Sequence, residues 1–88
     1  MNEYIRTHIR INSNDEAARL VTILNSDGTT DKYIIENYDG TERVNARSLM
    51  GVIYMCGAHN NDTYLVNDTA YGVYPHGIDD FRALASID

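Results

Sequence analysis

From Tyr4 to Ile11 the chain alternates, with Ile5, Thr7, Ile9 and Ile11 interleaved with Tyr4, Arg6, His8 and Arg10. A period of two sends successive side chains to opposite faces, so the segment predicts a strand with one wet face, the face of Ile5, Ile9 and Ile11 being buried. A one-residue slip would expose every isoleucine together, which fixes the register. The period then changes. In SNDEAARLVTILNSDG, Ala17, Leu20, Val21 and Leu24 recur at the spacing of one helical face. Ser13 and Glu16 have the separation of a capping box, placing the start near Asn14, and Asp27-Gly28 supplies a stop near Ser26.

Lys32 to Tyr38 is rich in β-branched and aromatic residues, Asp39-Gly40 marks a tight turn, and Thr41 to Asn45 can return as a partner strand. From Ser48 to Cys56, Leu49, Val52, Ile53 and Cys56 fall at helical spacing, but Gly57 follows at once, which predicts a helix of two turns. Asp62 to Asn67 reads as a fourth strand, with Tyr64 and Val66 alternating against Thr63 and Leu65. After the irregular DTAYGVYPHG, the tail carries Ile78, Phe81, Leu84 and Ala85 on one helical face. The order βαββαβα predicts an α+β open-faced sandwich, a four-stranded antiparallel sheet with helices on one face, as a single domain over residues 1–88.

Charge and composition narrow the function. The net charge is −6, with scattered basic residues, which argues against a protein that tracks a nucleic-acid backbone. No stretch approaches the roughly 20 apolar residues that span a bilayer, and the N-terminus lacks the apolar run of a signal peptide. One cysteine, Cys56, allows no intrachain disulfide and suits a reducing compartment, so the cytoplasm is the expected location. Asn61-Asp62-Thr63 and Asn67-Asp68-Thr69 are formal glycosylation acceptors that this location would leave unused.

The residues with reactive chemistry are dispersed. His8, His59 and His76 show no ligand spacing, so no metal site is expected. Cys56 falls on the apolar side of the second helix, where a thiol is buried and inert. The tyrosines at 33, 38, 54, 64, 71 and 74 suit half-buried strands as well as a binding groove. No Ser/His/Asp set or phosphate-binding glycine loop occurs, and neither an enzyme nor a cofactor is expected. Ser48, directly before an apolar helix, has the position of an N-cap.

From Tyr38 to Met55 the sequence YDGTERVNARSLMGVIYM resembles the phosphocarrier protein HPr of the bacterial sugar phosphotransferase system and its regulatory paralogue Crh. Val44, Asn45, Ser48, Leu49, Met50, Gly51 and Val52 carry the likeness; outside this stretch it rests on element order and hydrophobic pattern. The resemblance implies an HPr-like fold, phosphorylation of Ser48 by an ATP-dependent kinase of the HPr kinase type, and docking of protein partners through Leu49, Met50 and Ile53, with Arg47 placed to pair with a phosphate. The carrier motif departs from the family: Ser13 stands at the place of the phosphorylated histidine and Asp15 at that of the arginine, and two carboxylates beside that place would repel a phosphate. These features imply a non-carrier regulatory protein of the phosphotransferase system or of carbon catabolite control, partnered by an HPr kinase-like enzyme, a regulator or a transport component. The alternative is a diverged HPr-fold interaction module with neither phosphorylation. In that case the Leu49/Met50/Ile53 face or the loop from Asp68 to Gly77 meets another partner, or Leu49 and Ile53 simply complete the core. Metal or ligand binding through His59 and His76 is a third, weaker class.

Overall fold

A computed structural model describes residues 4–81. Strand β1 (Thr7–Ile9) leads into helix α1 (Asn14–Asn25), the hairpin β2 (Tyr33–Asn37) and β3 (Arg43–Asn45), helix α2 (Leu49–Ala58) and strand β4 (Thr63–Asn67). A 3-10 turn at His76–Ile78 follows and continues into helical backbone at Asp79, Asp80 and Phe81. The sheet runs β1-β4-β2-β3 with every neighbouring pair antiparallel. The observed class is therefore α+β with a four-stranded antiparallel sheet, compatible with an open-faced sandwich.

Register decides which side chains meet the helices. Ile9 lies opposite Thr63, Ile35 opposite Leu65 and Tyr33 opposite Asn67. These residues are buried, and the apolar ones join Leu20 and Leu24 of α1 with Val52 and Met55 of α2 in one core. Truncating such a side chain to alanine typically costs about 2–5 kcal/mol. Ile78 and Phe81 close this core as the final turn predicted; Leu84 and Ala85 lie outside the described residues.

Three expectations need correction. Ile5 is 38% exposed, whereas Ile9 is fully buried and Ile11 nearly so. β1 pairs only through Thr7, His8 and Ile9, so Ile5 lies past the end of the ladder, where it rests against Gly72 instead of entering the core. The second helix is longer than two turns, running 10 residues through Gly57. Its stop is the asparagine pair that follows: Asn60 and Asn61 take φ of 55° and 61°, and the Asn61 N–H returns to the Cys56 carbonyl at 2.9 Å. Asparagine tolerates this left-handed backbone far better than most side chains, so it ends the helix where the glycine does not.

The third correction concerns the sheet face away from the helices, which is not simply wet. Val66 is buried there, and so is Glu36, at 1% exposure. One Glu36 carboxylate oxygen accepts from the Tyr4 phenol and from Arg43 Nε at 3.1 Å, the other from an Arg6 amino group at 3.0 Å. Arg6 also lies 4.1 Å from the centre of the Tyr64 ring. Burial and the bond to Glu36 push the Tyr4 phenol up to about 12. A carboxylate buried this deeply persists because two cations and a donor surround it.

Candidate functional site

Ser48 is the N-cap of α2. Its backbone is extended, with φ −99°, and its Oγ accepts the Gly51 N–H at 3.3 Å. The chain reaches this position through an Asn45 turn, in which Asn45 Oδ1 accepts the Arg47 N–H at 2.9 Å and the Asn45 carbonyl accepts the Ser48 N–H at 3.1 Å. Gly51 allows a close approach: a Cβ there would stand 3.3 Å from the Asn45 carbonyl and 3.4 Å from Val44, tight enough that these neighbours would have to give way. Five residues of the stretch thus have a mechanical role, Val44 and Gly51 in the contact of β3 with α2, Asn45 in the turn, Ser48 in the cap and Val52 in the core.

The apolar residues of α2 divide by exposure. Val52, Met55 and Cys56 face inward; Ile53 is half-buried against the core; Leu49 and Met50 are 39% and 75% exposed. Tyr54, one turn beyond Met50, is also exposed and donates to Glu42 Oε2 at 2.7 Å. Ser48 is exposed beside Leu49 and Met50, so an oxygen able to carry a group and an apolar patch share one helix end. No acidic residue occupies the first turn of α2.

Arg47 points the other way. Its guanidinium donates to the carbonyls of Leu24 at 2.5 Å, Thr29 at 3.2 Å and Asp31 at 3.1 Å, lies 3.6 Å from Asp27 and stands over the Tyr33 ring. Those carbonyls belong to the end of α1 and the approach to β2. Arg47 therefore ties three segments together instead of lying open beside Ser48.

Ser13 and Asp15 lie at the head of the other helix. Ser13 Oγ accepts the Glu16 N–H at 3.2 Å, and Glu16 returns to the Asn12 N–H at 2.7 Å, a capping box shifted by one residue on its return side. Ser13 borders a shallow polar cleft with Ile11, Asn14, Cys56 and Asn61, and no histidine lines it. The three histidines lie apart: His8 bonds the Asn61 carbonyl at 2.9 Å and stacks on Tyr64, His59 meets Glu42 at 2.6 Å, and His76 begins the 3-10 turn. The bonds from Tyr54 and then His59 hold the Glu42 carboxyl below its ordinary range. Among the described residues no group of three or more His, Cys, Asp or Glu side chains is placed to hold a metal ion.

Cys56 is buried, which pushes its thiol up and away from reactivity. Asn67 is fully buried with its amide bonded on both sides, which makes its sequon unusable in the folded protein. No helix among the described residues is long and apolar enough to cross a membrane.

Sequence reasoning missed the Glu36 cluster and the role of Arg47. A charged residue inside the apolar YIIEN run was the available signal for the first. For the second there was none, because the carbonyls Arg47 reaches lie 16 to 23 residues away. No protein-family model, curated protein or solved structure matches the chain.

Proposed function

We propose that this protein is a cytoplasmic, HPr/Crh-like, non-carrier regulatory domain that docks a protein partner on the exposed end of α2 and is switched by phosphorylation of Ser48. The supporting observation is the adjacency of an exposed N-cap serine to the exposed Leu49 and Met50. A phosphate on Ser48 would meet free backbone N–H groups and the positive end of the helix dipole, and would set a charge of about −1.5 to −2 against an apolar docking face. Docking geometry then changes without unfolding the helix. Treating the wild-type chain and Ser48→Ala with an HPr kinase and ATP, and reading intact mass, tests the switch. One added phosphate on the wild type alone is expected; none on either folded protein removes the switch from the proposal.

A second reading, an interaction module with no phosphorylation, draws support from two observations. Arg47, the nearest cation in sequence, has its guanidinium engaged with carbonyls and Asp27. Of the residues that carry the family resemblance, Val44, Asn45, Ser48, Gly51 and Val52 also have a structural task in or beside the β3–α2 junction. Under this reading Met50→Asp abolishes partner binding while Ser48→Ala leaves it unchanged.

A further inference from the structure

A cleft of about 440 Å3 lies between the end of α1, the approach to β2 and the loop at residues 73–77, and the docking reading makes no use of it. Its size falls within the roughly 300–1,000 Å3 of small-molecule sites. Ile23, Tyr33, Val73, Tyr74 and Pro75 give it an apolar lining; Ser26, Thr29, Asp27, Asp31 and His76 supply polar edges. Buried groups hold the walls in place. Asn67 donates to the Val73 carbonyl at 2.7 Å and to Asp31 Oδ2 at 3.0 Å, and its own oxygen accepts the N–H groups of Thr69 and Ala70 at 2.9 and 3.0 Å. The Tyr74 hydroxyl donates to the Leu65 carbonyl at 2.9 Å. Gly77 presses on Ile23 so closely that a Cβ there would stand 3.1 Å from its side chain. The cleft is thus preformed.

Its two carboxylates differ. Asp27 is fully engaged, accepting from the Tyr33 hydroxyl and from the Thr29 N–H and hydroxyl at 2.9 Å, with Arg47 at 3.6 Å. Asp31 accepts a neutral amide on Oδ2 alone; its other oxygen receives no hydrogen bond from a described residue, and no described cation pairs with it. A half-buried carboxylate with one free oxygen at the edge of an apolar cleft is complementary to a cation carried on an apolar body. We propose that the cleft binds a small organic ammonium ion, a primary amine on an aromatic or branched aliphatic body, with the ammonium on Asp31 and the body against Ile23, Val73 and Pro75. Arg47 compensates Asp27, so an anion there meets the uncompensated carboxylate of Asp31. This site also gives the loop from Asp68 to Gly77 a function.

The test titrates the full chain, followed by two-dimensional amide NMR, with phenethylamine and in parallel with the neutral 2-phenylethanol. Saturable shifts confined to residues 23–33 and 73–77 are expected, with the alcohol bound about tenfold more weakly or worse, since a charge-assisted bond is worth roughly 1.5–3 kcal/mol. Asp31→Asn keeps the acceptor for Asn67 and is expected to erase the preference for the amine. Val73 is 56% exposed, so Val73→Arg leaves the core intact while setting a guanidinium near Asp31, and is expected to weaken amine binding even where Asp31→Asn disturbs folding. Equal binding of amine and alcohol, a preference that survives both substitutions, or no saturable shift at tens of millimolar overturns the proposal.

Discussion

Ser13 and Ser48 do the same local work at the heads of two helices, yet the two heads are secured differently. At α1 the cap is complete within five residues: Ser13 takes the Glu16 N–H, Glu16 takes the Asn12 N–H, and Asp15 and Glu16 complement the helix dipole. At α2 the serine takes the Gly51 N–H, but the first turn carries Leu49 and Met50 in place of acids, and the junction is fastened by Arg47 to carbonyls on distant segments. The first head is closed by its own sequence and electrostatically acidic. The second is open at its surface and held from behind, an arrangement suited to presenting a docking face.

The strongest way to break this contrast is Arg47→Ala. It leaves the carbonyls of Leu24, Thr29 and Asp31 without their donor and Asp27 without its cation, and should destabilise the fold by about 2–4 kcal/mol, read by urea denaturation. Arg47→Lys should recover little of the loss, because one ammonium cannot span three carbonyls in the plane that a guanidinium does. A loss below about 0.5 kcal/mol in Arg47→Ala would show that the α2 head needs no distant anchor.

The two caps come next. Ser13→Ala and Ser48→Ala should each lower stability by about 1 kcal/mol, the usual value of an N-cap side chain. The contrast appears on replacement by aspartate. Ser48→Asp keeps an acceptor and adds the negative charge that the first turn of α2 lacks, so stability should equal or exceed wild type. Ser13→Asp adds a third carboxylate beside Asp15 and Glu16 and should fall below it. Thermal midpoints of the four variants, measured side by side, check the sign of each change.

The same distinction governs what was legible in the sequence. α1 could be bounded to within a residue because its signals, Ser13, Glu16 and the Ala17/Leu20/Leu24 face, act over one or two turns. The β2–β3 turn at Asp39-Gly40 was legible for the same reason. The end of α2 was misplaced because glycine and asparagine both mark stops, and only the left-handed backbone at Asn60 and Asn61 shows which one acts. Ile5 was misassigned because alternation gives the face of a strand but not where its partner ends. Of the candidate site, Ser48 as a cap followed from position alone. The division of Leu49, Met50 and Ile53 between surface and core depends on the angle at which α2 meets β3, and that depends on the close approach at Gly51.

A smaller effect tests that approach. Gly57 lies in α2 with open space where a Cβ would go, so Gly57→Ala should stabilise the helix by up to about 1 kcal/mol. Gly51→Ala gains the same propensity but sets a methyl 3.3 Å from the Asn45 carbonyl, so the gain should be cancelled or reversed. Equal stabilisation by both substitutions would mean that α2 does not rest on β3 through this glycine.

The last contrast is a pH dependence at the point where Arg47 meets Asp27. Burial alone would raise the Asp27 carboxyl, but the hydrogen bonds from Tyr33 and Thr29, with Arg47 beside it, outweigh burial and hold it at about 2, below its ordinary 3.8. A depressed carboxyl contributes stability that is complete above 3.8 and disappears as the pH falls through about 2. Its partner acts at the other extreme. Burial and the bond to Asp27 push the Tyr33 phenol from 10.0 up to about 12, so the stability it contributes is complete below pH 10 and lost as pH rises through 12. Denaturation midpoints should therefore decline at both ends of the pH range, and Asp27→Asn should reduce both declines, since one hydrogen bond perturbs both groups, while burial of Tyr33 and the raised Tyr4 phenol keep part of the alkaline one. Arg47→Ala should soften the acid decline and leave the alkaline one, because the guanidinium charge helps hold Asp27 ionised, whereas the Tyr33 phenol is raised by burial and by its bond to Asp27. An alkaline decline that also shrank in Arg47→Ala would mean that the guanidinium positions the Tyr33 ring as well as the carbonyls behind the α2 head.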